Sequence, residues 1–421
     1  MSVLLPSDAL QKPPLDGITV IDMSRVLSGP YCTMVLADLG ARVIKIERPD
    51  IGDDTRQWVP FVGGQSGYFM AFNRHKESIA LDLKSPYDRE ILDSILAAGD
   101  VLVENFRPGV MDRLGYGWET LSSRHPRLVY ASISGYGDTG PLRDQPAYDM
   151  IIQAVGGAMS LTGEPDGPPL RVGPSIADLG AAVFATIGIC AALTARARTG
   201  RGQKVDIAML DGQVALLEHA LARVALEPTV PTRTGAHHAT LAPFGAFAAS
   251  DGNLVIAAAN DTLFGSLADA LGRPELADDP RFLTNDRRVT NQSALQAEVE
   301  RILSQRTVKD WIAILQEAEV PCGPINTVDK VLQDPQLRAR DMFISVSDED
   351  GNTIQTANNP IRLSAAGERP KTARSPLLDE HREALIREFM TSNDHAKLSQ
   401  IRQLAAADNI DLSFVNLTMQ H

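Results

Sequence analysis

Apolar runs and their interruptions divide the chain into short units. Ile18-Thr19-Val20-Ile21 has the length and character of a strand; after the loop Arg25-Val26-Leu27-Ser28-Gly29-Pro30 comes an apolar helical stretch to Leu39, a stop at Gly40, and a second strand-like run, Val43-Ile44-Lys45-Ile46. Strand, helix, glycine stop and strand within roughly thirty residues predict a βαβ unit, with parallel pairing and a right-handed crossover. The pattern recurs, with Ser78 to Leu83 reading as a strand, Tyr87 to Ala98 as a helix, Val101-Leu102-Val103 as a short strand and Leu128 to Ser134 as another. The first half is therefore predicted to be α/β, with functional loops at the carboxyl ends of its strands.

The most apolar stretch, Ile176 to Leu193, approaches membrane-spanning length, but it carries Asp178 and many alanines and reads as a buried helix. A turn at Thr199-Gly200-Arg201-Gly202-Gln203 leads to a strand at Lys204 to Met209 and a helix from Asp211 to Arg223. Glu227-Pro228-Thr229-Val230-Pro231 has the composition of a linker. Beyond it Pro243 to Ala248 and Leu254 to Ala259 flank Ser250-Asp251-Gly252-Asn253, a hairpin signal, and three helical stretches follow to about Ala318. From Pro321 short strands and turns lead to a last helix near Glu380 to Met390 and a polar tail to His421. Met1 to Pro14 has no apolar stretch behind basic residues, so it reads as a loose arm and not as a secretory signal.

Composition narrows the function. A chain of 421 residues is too long for one ordinary core. Its formal charge of −13 argues against a nucleic-acid or anionic-membrane surface, because counterion-release binding needs clustered cations. Cys32, Cys190 and Cys322 are too far apart for a metal or redox pair and suit a reducing cytoplasm. The opening βαβ unit offers only Gly29 where G-x-G-x-x-G would cradle a pyrophosphate, and the signatures of P-loop, zinc-protease and serine-esterase chemistry are missing. No metal and no permanently bound cofactor is expected. Asp178, in Gly173-Pro174-Ser175-Ile176-Ala177-Asp178-Leu179-Gly180-Ala181, has two readings on local grounds. It is an ordinary acid of a first helical turn, or it is a carboxylate nucleophile, kept ionised by the helix N-terminus and left approachable by small neighbours.

A set of motifs spread along nearly the whole chain resembles CoA-transferase family III. They are Leu15-Asp16-Gly17-Ile18-Thr19-Val20-Ile21-Asp22, Asp38-Leu39-Gly40-Ala41, Gly52-Asp53-Asp54-Thr55-Arg56, Asn73-Arg74-His75-Lys76, Glu104-Asn105-Phe106-Arg107-Pro108-Gly109, Ser134-Gly135-Tyr136-Gly137, Thr199-Gly200-Arg201-Gly202-Gln203 and Pro321-Cys322-Gly323-Pro324-Ile325-Asn326. The resemblance implies an enzyme in which Asp178 is the nucleophile, forming first a mixed anhydride with the donor acyl group and then an aspartyl-CoA thioester. It also implies a CoA site over the carboxyl ends of the first strands, with Arg48 and Arg113 near the adenosine and phosphate groups and Leu27, Leu81, Lys84, Asn105 and Phe106 as its walls. CoA thioesters are then substrates, and small carboxylic acids the other reactants. The implied architecture is a Rossmann-like large domain, residues 1–225 and a returning segment 331–421, with a small α+β domain at 226–330, in an interlocked homodimer.

Departures from the family pattern bear on specificity. Racemases that resemble these transferases need a His in a G-H-D stretch, and Ala147-Tyr148-Asp149 stands there instead; tyrosine is a poor base at neutral pH, so Tyr148 is expected to pack against the thioester end. The compact Thr234-Gly235-Ala236-His237-His238-Ala239 replaces the glycine-run loop of formyl-CoA transferases, which makes oxalate and formyl chemistry less expected and looks closer to the succinyl-CoA:dicarboxylate branch. A dicarboxylate leaves one charge that needs a fixed partner. Arg171, His237 and His238 are candidates, against a purely structural reading of all three. A carnitine-type transferase, an isomerase and a non-catalytic CoA-binding subunit are the alternatives. Leu378-Asp379-Glu380-His381 lacks the glycine usual before Glu-His, which leaves that turn's conformation open.

Overall fold

The computed structural model describes residues 12–365 and 370–390. The expected N-terminal arm, save its last residues, and the polar tail beyond Met390 lie outside them. One unit draws on the chain up to Gly156, on Gly173–Leu216 and on the part from Arg338; the other takes Gly157–Val172 and Leu217–Leu337.

The first unit is built on six parallel strands, β1 (Thr19–Asp22), β2 (Arg42–Glu47), β3 (Lys76–Ala80), β4 (Val101–Glu104), β5 (Val129–Ser134) and β6 (Lys204–Ala208), in the order β3-β2-β1-β4-β5-β6. That is the Rossmann order, whose reversal between β1 and β4 opens a crevice at their carboxyl ends. Its helices include α1 (Ser28–Asp38), α2 (Gly67–Phe72), α3 (Pro86–Ala98), α4 (Asp149–Val155), α5 (Ile176–Thr199) and α6 (Met209–Ala215). Helix α3 starts where Ser85 caps the Asp88 amide and Pro86 presets the first turn, and it buries Ile91, Leu92, Ile95 and Leu96 at helical spacing. Those residues cover Ile21, Ile44, Ile79 and Leu102 on one face of the sheet, while α1 and α5 cover Val20, Val43, Val101, Val129 and Ala131 on the other. Each such residue, fully buried, stabilises the fold by roughly 1.5–3 kcal/mol. Because both faces are covered, even Lys45 and Glu47 of β2 are buried.

By length and composition α5 is a candidate membrane span. Its inner face, Ala177, Ala181, Ala182, Ala185, Ile189 and Ala192, is buried in the core instead. Near its end the buried Arg196 pairs with Asp100 at 2.8 Å, and Gly200 at φ 72° closes it.

The expected helix from Asp211 to Arg223 is broken. It becomes α6 and Ala220–Leu226, with Glu218 at φ 53° in the interruption, where the chain passes from the first unit into the second. The divisions expected at 225/226 and 330/331 fall instead after Leu216 and Leu337, and Gly157–Val172 joins the second unit. Tertiary hydrogen bonding explains the last point: Gly235 donates its amide to the Gly163 carbonyl at 3.0 Å, and Arg233 grips the carbonyls of Glu164 and Gly167 at 3.1 and 2.7 Å.

In the second unit the hairpin β7 (Phe244–Ala248) and β8 (Asn253–Ala257) is joined by β9 (Cys322–Pro324). Helices Asp261–Ala270, Gln292–Leu303 and Val308–Glu317 pack around Phe247, Leu254, Ile256 and Trp311.

Back in the first unit, β10 (Phe343–Ser347), β11 (Thr353–Ala357) and β12 (Thr372–Arg374) set Ile344 and Val346 on Met70 of α2. The segment after them seals the exposed edge of β3. Ser78 donates its amide to His381 Nδ1 at 3.2 Å, and Ala80 donates to Asp379 Oδ1 at 2.7 Å. Asp379 sits at φ 63°, the left-handed conformation in which glycine is favoured, and its carboxylate compensates through the bond to Ala80.

Candidate active site

The crevice at the strand ends collects the loop from Met23 to Leu27, the start of α1, the Asn105–Gly109 turn, and the start of α5. Asp178 lies half-buried in the first turn of α5. Its helix begins without a cap from Ser175. Asp149, the first residue of α4, serves in its place: its Oδ1 accepts the amides of Ala177 at 2.9 Å and Asp178 at 3.5 Å, while Oδ2 accepts from Gln153 at 2.7 Å.

That arrangement reverses an expectation. The helix N-terminus alone would favour an ionised Asp178, but its donors are already taken by a buried carboxylate. Burial, and then the charge of Asp149, push the Asp178 carboxyl up to about 7, against a lowering hydrogen bond from the Ser28 hydroxyl. Tyr68 of α2 faces the same group. Burial and the charges of Asp178, Asp53 and Asp149 push its phenol up to about 12, so at neutral pH it keeps a proton to donate. Its ring stands edge-on to Trp58 and Phe72, at 5.2 and 5.1 Å. Ser28, Tyr68 and Asp149 were not singled out from sequence as site residues, since only tertiary packing brings them to Asp178; an uncapped helix start with an acid elsewhere to serve it was the one available signal.

The residues expected around CoA fall into three groups. Leu27 is buried, and Asn105 is tied to the same loop: it accepts the Arg25 amide at 2.9 Å and donates to the Arg25 carbonyl at 2.7 Å and to Ser28 Oγ at 3.3 Å. Leu81 is buried in a cluster that Phe106 flanks. Arg48, Lys84 and Arg113 reach solvent. Arg48 shares Asp54 with Arg25, at 2.6 and 2.9 Å, so two guanidiniums meet one carboxylate and the group keeps net positive charge. Lys84 and Arg113 have no ion-pair partner among the described residues, which suits them to phosphates. Tyr148 is 73% exposed. The Asn105–Gly109 turn also borders a cavity of about 230 Å³, lined by Glu104, Arg107, Trp118, Tyr130 and Lys204, but Asp178 takes no part in it.

Arg171, His237 and His238 all belong to the second unit. Arg171 is exposed. His237 stands edge-on to Phe247 at 5.7 Å and its buried Nδ1 has no hydrogen-bond partner among the described residues, while Gly245 must be glycine because a Cβ there would lie 2.2 Å from that nitrogen. His238 stacks on Phe244 at 5.1 Å and His219 at 6.0 Å, with Nδ1 accepting the Thr240 amide at 3.2 Å. Both histidines thus have packing roles inside that unit. Among the described residues no cluster suited to a metal ion is found.

Comparison with known proteins completes the picture. The model of CoA-transferase family III matches residues 15–382. An acetyl-CoA:oxalate CoA-transferase of Acetobacter aceti is 47% identical over 382 residues, spanning 90% of this chain and 97% of that protein. A succinate–glutarate CoA-transferase of Agrobacterium fabrum is 39% identical over 395 residues, spanning 90% and 97%. The crystal structure of a CAIB/BAIF family protein from Brucella suis superposes with a TM-score of 0.81 at 42% identity, covering 90% of this chain and 100% of that one.

Proposed function

Because the chain belongs to CoA-transferase family III, and is therefore an enzyme of the transferase class, we propose that it moves CoA from succinyl-CoA to a small dicarboxylate through Asp178. The observation that carries this reading is the Asp178 carboxyl itself: desolvated, backed by the Asp149 carboxylate, and pushed up to about 7. A carboxylate of raised basicity is a better nucleophile, and it is substantially ionised at neutral pH.

An Asp178 oxygen attacks the thioester carbonyl, and the carbon–sulfur bond breaks to release CoA thiolate and a mixed anhydride. The thiolate then attacks the aspartyl carbonyl and expels succinate, leaving Asp178 as a CoA thioester. The acceptor carboxylate attacks that carbonyl and expels the thiolate, and the thiolate takes the acceptor's acyl group from the second anhydride, restoring the Asp178 carboxylate. In every acylated form Asp178 carries no charge, so burial and Asp149, which disfavour the free carboxylate, favour the intermediates.

CoA is assigned to the crevice between β1 and β4. Arg48, Lys84 and Arg113 meet its phosphates, Leu27, Leu81, Asn105 and Phe106 wall it, and Tyr148 packs on the thioester end. Arg171, His237 and His238 serve the spectator carboxylate of the acceptor. The interlocked homodimer of the family is the proposed assembly, in the cytoplasm. Met150, Val155, Val183 and Ile187, exposed apolar residues of α4 and α5, support a partner copy on this face. A second reading, acetyl-CoA as donor and oxalate as acceptor, draws on the 47% identity to the Acetobacter aceti enzyme. Incubation with succinyl-CoA or acetyl-CoA and a panel of acids, with acyl-CoA products identified by mass, separates the two. Solvent deuterium entering the α-carbon with no new acyl-CoA formed would replace both readings with an isomerase.

A further inference from the structure

The loop that delivers Ser28 to Asp178 holds an unfavourable backbone. Val26 sits at φ 70°, a left-handed conformation that a β-branched residue adopts only where its surroundings impose it. Asp53 imposes it from one side, its two carboxylate oxygens accepting the Val26 amide at 3.2 and 3.3 Å. Asn105 grips Arg25 from the other, at 2.9 and 2.7 Å. Asp53 has little freedom of its own. It is buried, ion-paired with the buried Lys45 at 3.0 Å, and accepts from Thr55 N at 3.0 Å and Thr55 Oγ1 at 2.8 Å. Lys45 also donates to the Ser24 carbonyl at 2.9 Å, so Ser24, Arg25 and Val26 are each pinned. The next two residues are Leu27, which is buried, and Ser28, which opens α1, accepts from Asn105 at 3.3 Å and presents its hydroxyl toward the Asp178 carboxyl.

We propose that Asp53 is a positioning residue for the transfer reaction: by clamping Val26 in its left-handed turn it sets the Ser28 hydroxyl on the nucleophile. This rests on Asp178 being the nucleophile. Asp53 acts through the backbone of Val26. Among the described residues Ser28 from α1, Tyr68 from α2 and Asp149 from α4 face Asp178, and Ser28 follows the Val26 turn by two residues. Moving the Ser28 hydroxyl away weakens its support of the ionised Asp178, while Asp149 still accepts the Ala177 amide.

The test is the pH profile of kcat/KM for exchange of labelled succinate into succinyl-CoA. Asp53→Asn leaves a single acceptor oxygen where four donors converge. It is expected to move the acid limb up by about 0.5–1 unit and to lower kcat about tenfold. Val26→Gly in the Asp53→Asn background, where glycine adopts the turn unaided, is expected to restore both. Val26→Pro keeps the Lys45–Asp53 pair but removes the amide and forbids the turn, and it is expected to reproduce the defect; this variant carries the test if Asp53→Asn does not fold. An acid limb left in place in Asp53→Asn or Val26→Pro, or a defect that Val26→Gly does not relieve, overturns the proposal. Mass mapping of the wild type with succinyl-CoA separates the two failures. An adduct on Asp178 beside an unmoved limb sinks the positioning role alone, and an adduct only on another carboxylate sinks the functional reading with it.

Discussion

Two buried pairs of aspartates, both in the first unit, are treated in opposite ways. Asp22 and Asp53 are matched by Lys76 and Lys45, at 2.9 and 3.0 Å, and further held by Thr33 at 2.7 Å and Thr55 at 2.8 Å. Burial alone would raise both carboxyls, but the ammonium charges and hydrogen bonds outweigh it and hold them below the usual range. Asp149 is buried and Asp178 half-buried, and among the described residues neither has an ion-pair partner. There burial wins, helped by the like charge, and Asp178 rises to about 7. The difference teaches where each pair works: the compensated one fixes the β1–α1 loop, and the uncompensated one keeps a carboxylate reactive.

The contrast can be broken most severely from the compensated side. Lys45→Met leaves Asp53 buried and unpaired, and is expected to cost about 3–5 kcal/mol in denaturant unfolding. Stability against pH has opposite signs in the two pairs. Asp22 and Asp53, whose folded pKa values are depressed, contribute stability that is present above about pH 4 and lost as pH falls. Asp178 binds its proton more tightly folded than unfolded, so it penalises folding increasingly from about pH 4 to about pH 7 and fully above that. Asp178→Asn is therefore expected to exceed wild-type stability at pH 8 by about 2–4 kcal/mol, with the difference closing at pH 4. Asp149→Asn keeps an acceptor for the helix amides but removes the like charge. The acid limb of kcat/KM is expected to move down by about one unit, with kcat reduced several-fold because the nucleophile is less basic. The smallest effect sharpens a different point: Asp379→Gly relieves a left-handed backbone but loses the bond to Ala80, and should change the melting free energy by less than about 1 kcal/mol.

Much of this was legible in the chain before its structure. The opening strand–helix–strand pattern foretold the parallel sheet, and Asp178 was placed in a first helical turn by the apolar run behind it. The charged network was not. Val43-Ile44-Lys45-Ile46-Glu47 alternates as a half-solvated strand would, yet the sheet is covered on both faces, so Lys45 and Glu47 point into structure and must find partners there. Asp149 was visible only as the last residue of Ala147-Tyr148-Asp149, because its service to α5 depends on how two helices meet. The allegiance of Gly157–Val172 to the second unit rests on Arg233 and Gly235, far along the chain, and no local pattern carries such information.

The central claim concerns one side chain, and covalent labelling addresses it directly. Wild-type protein incubated with succinyl-CoA, quenched with hydroxylamine or borohydride and mapped by mass should carry its modification at Asp178, and Asp178→Ala should lose about 10³-fold or more of its turnover. Modification confined to a different carboxylate, or an Asp178→Ala enzyme that exchanges CoA at the original rate, would contradict the account.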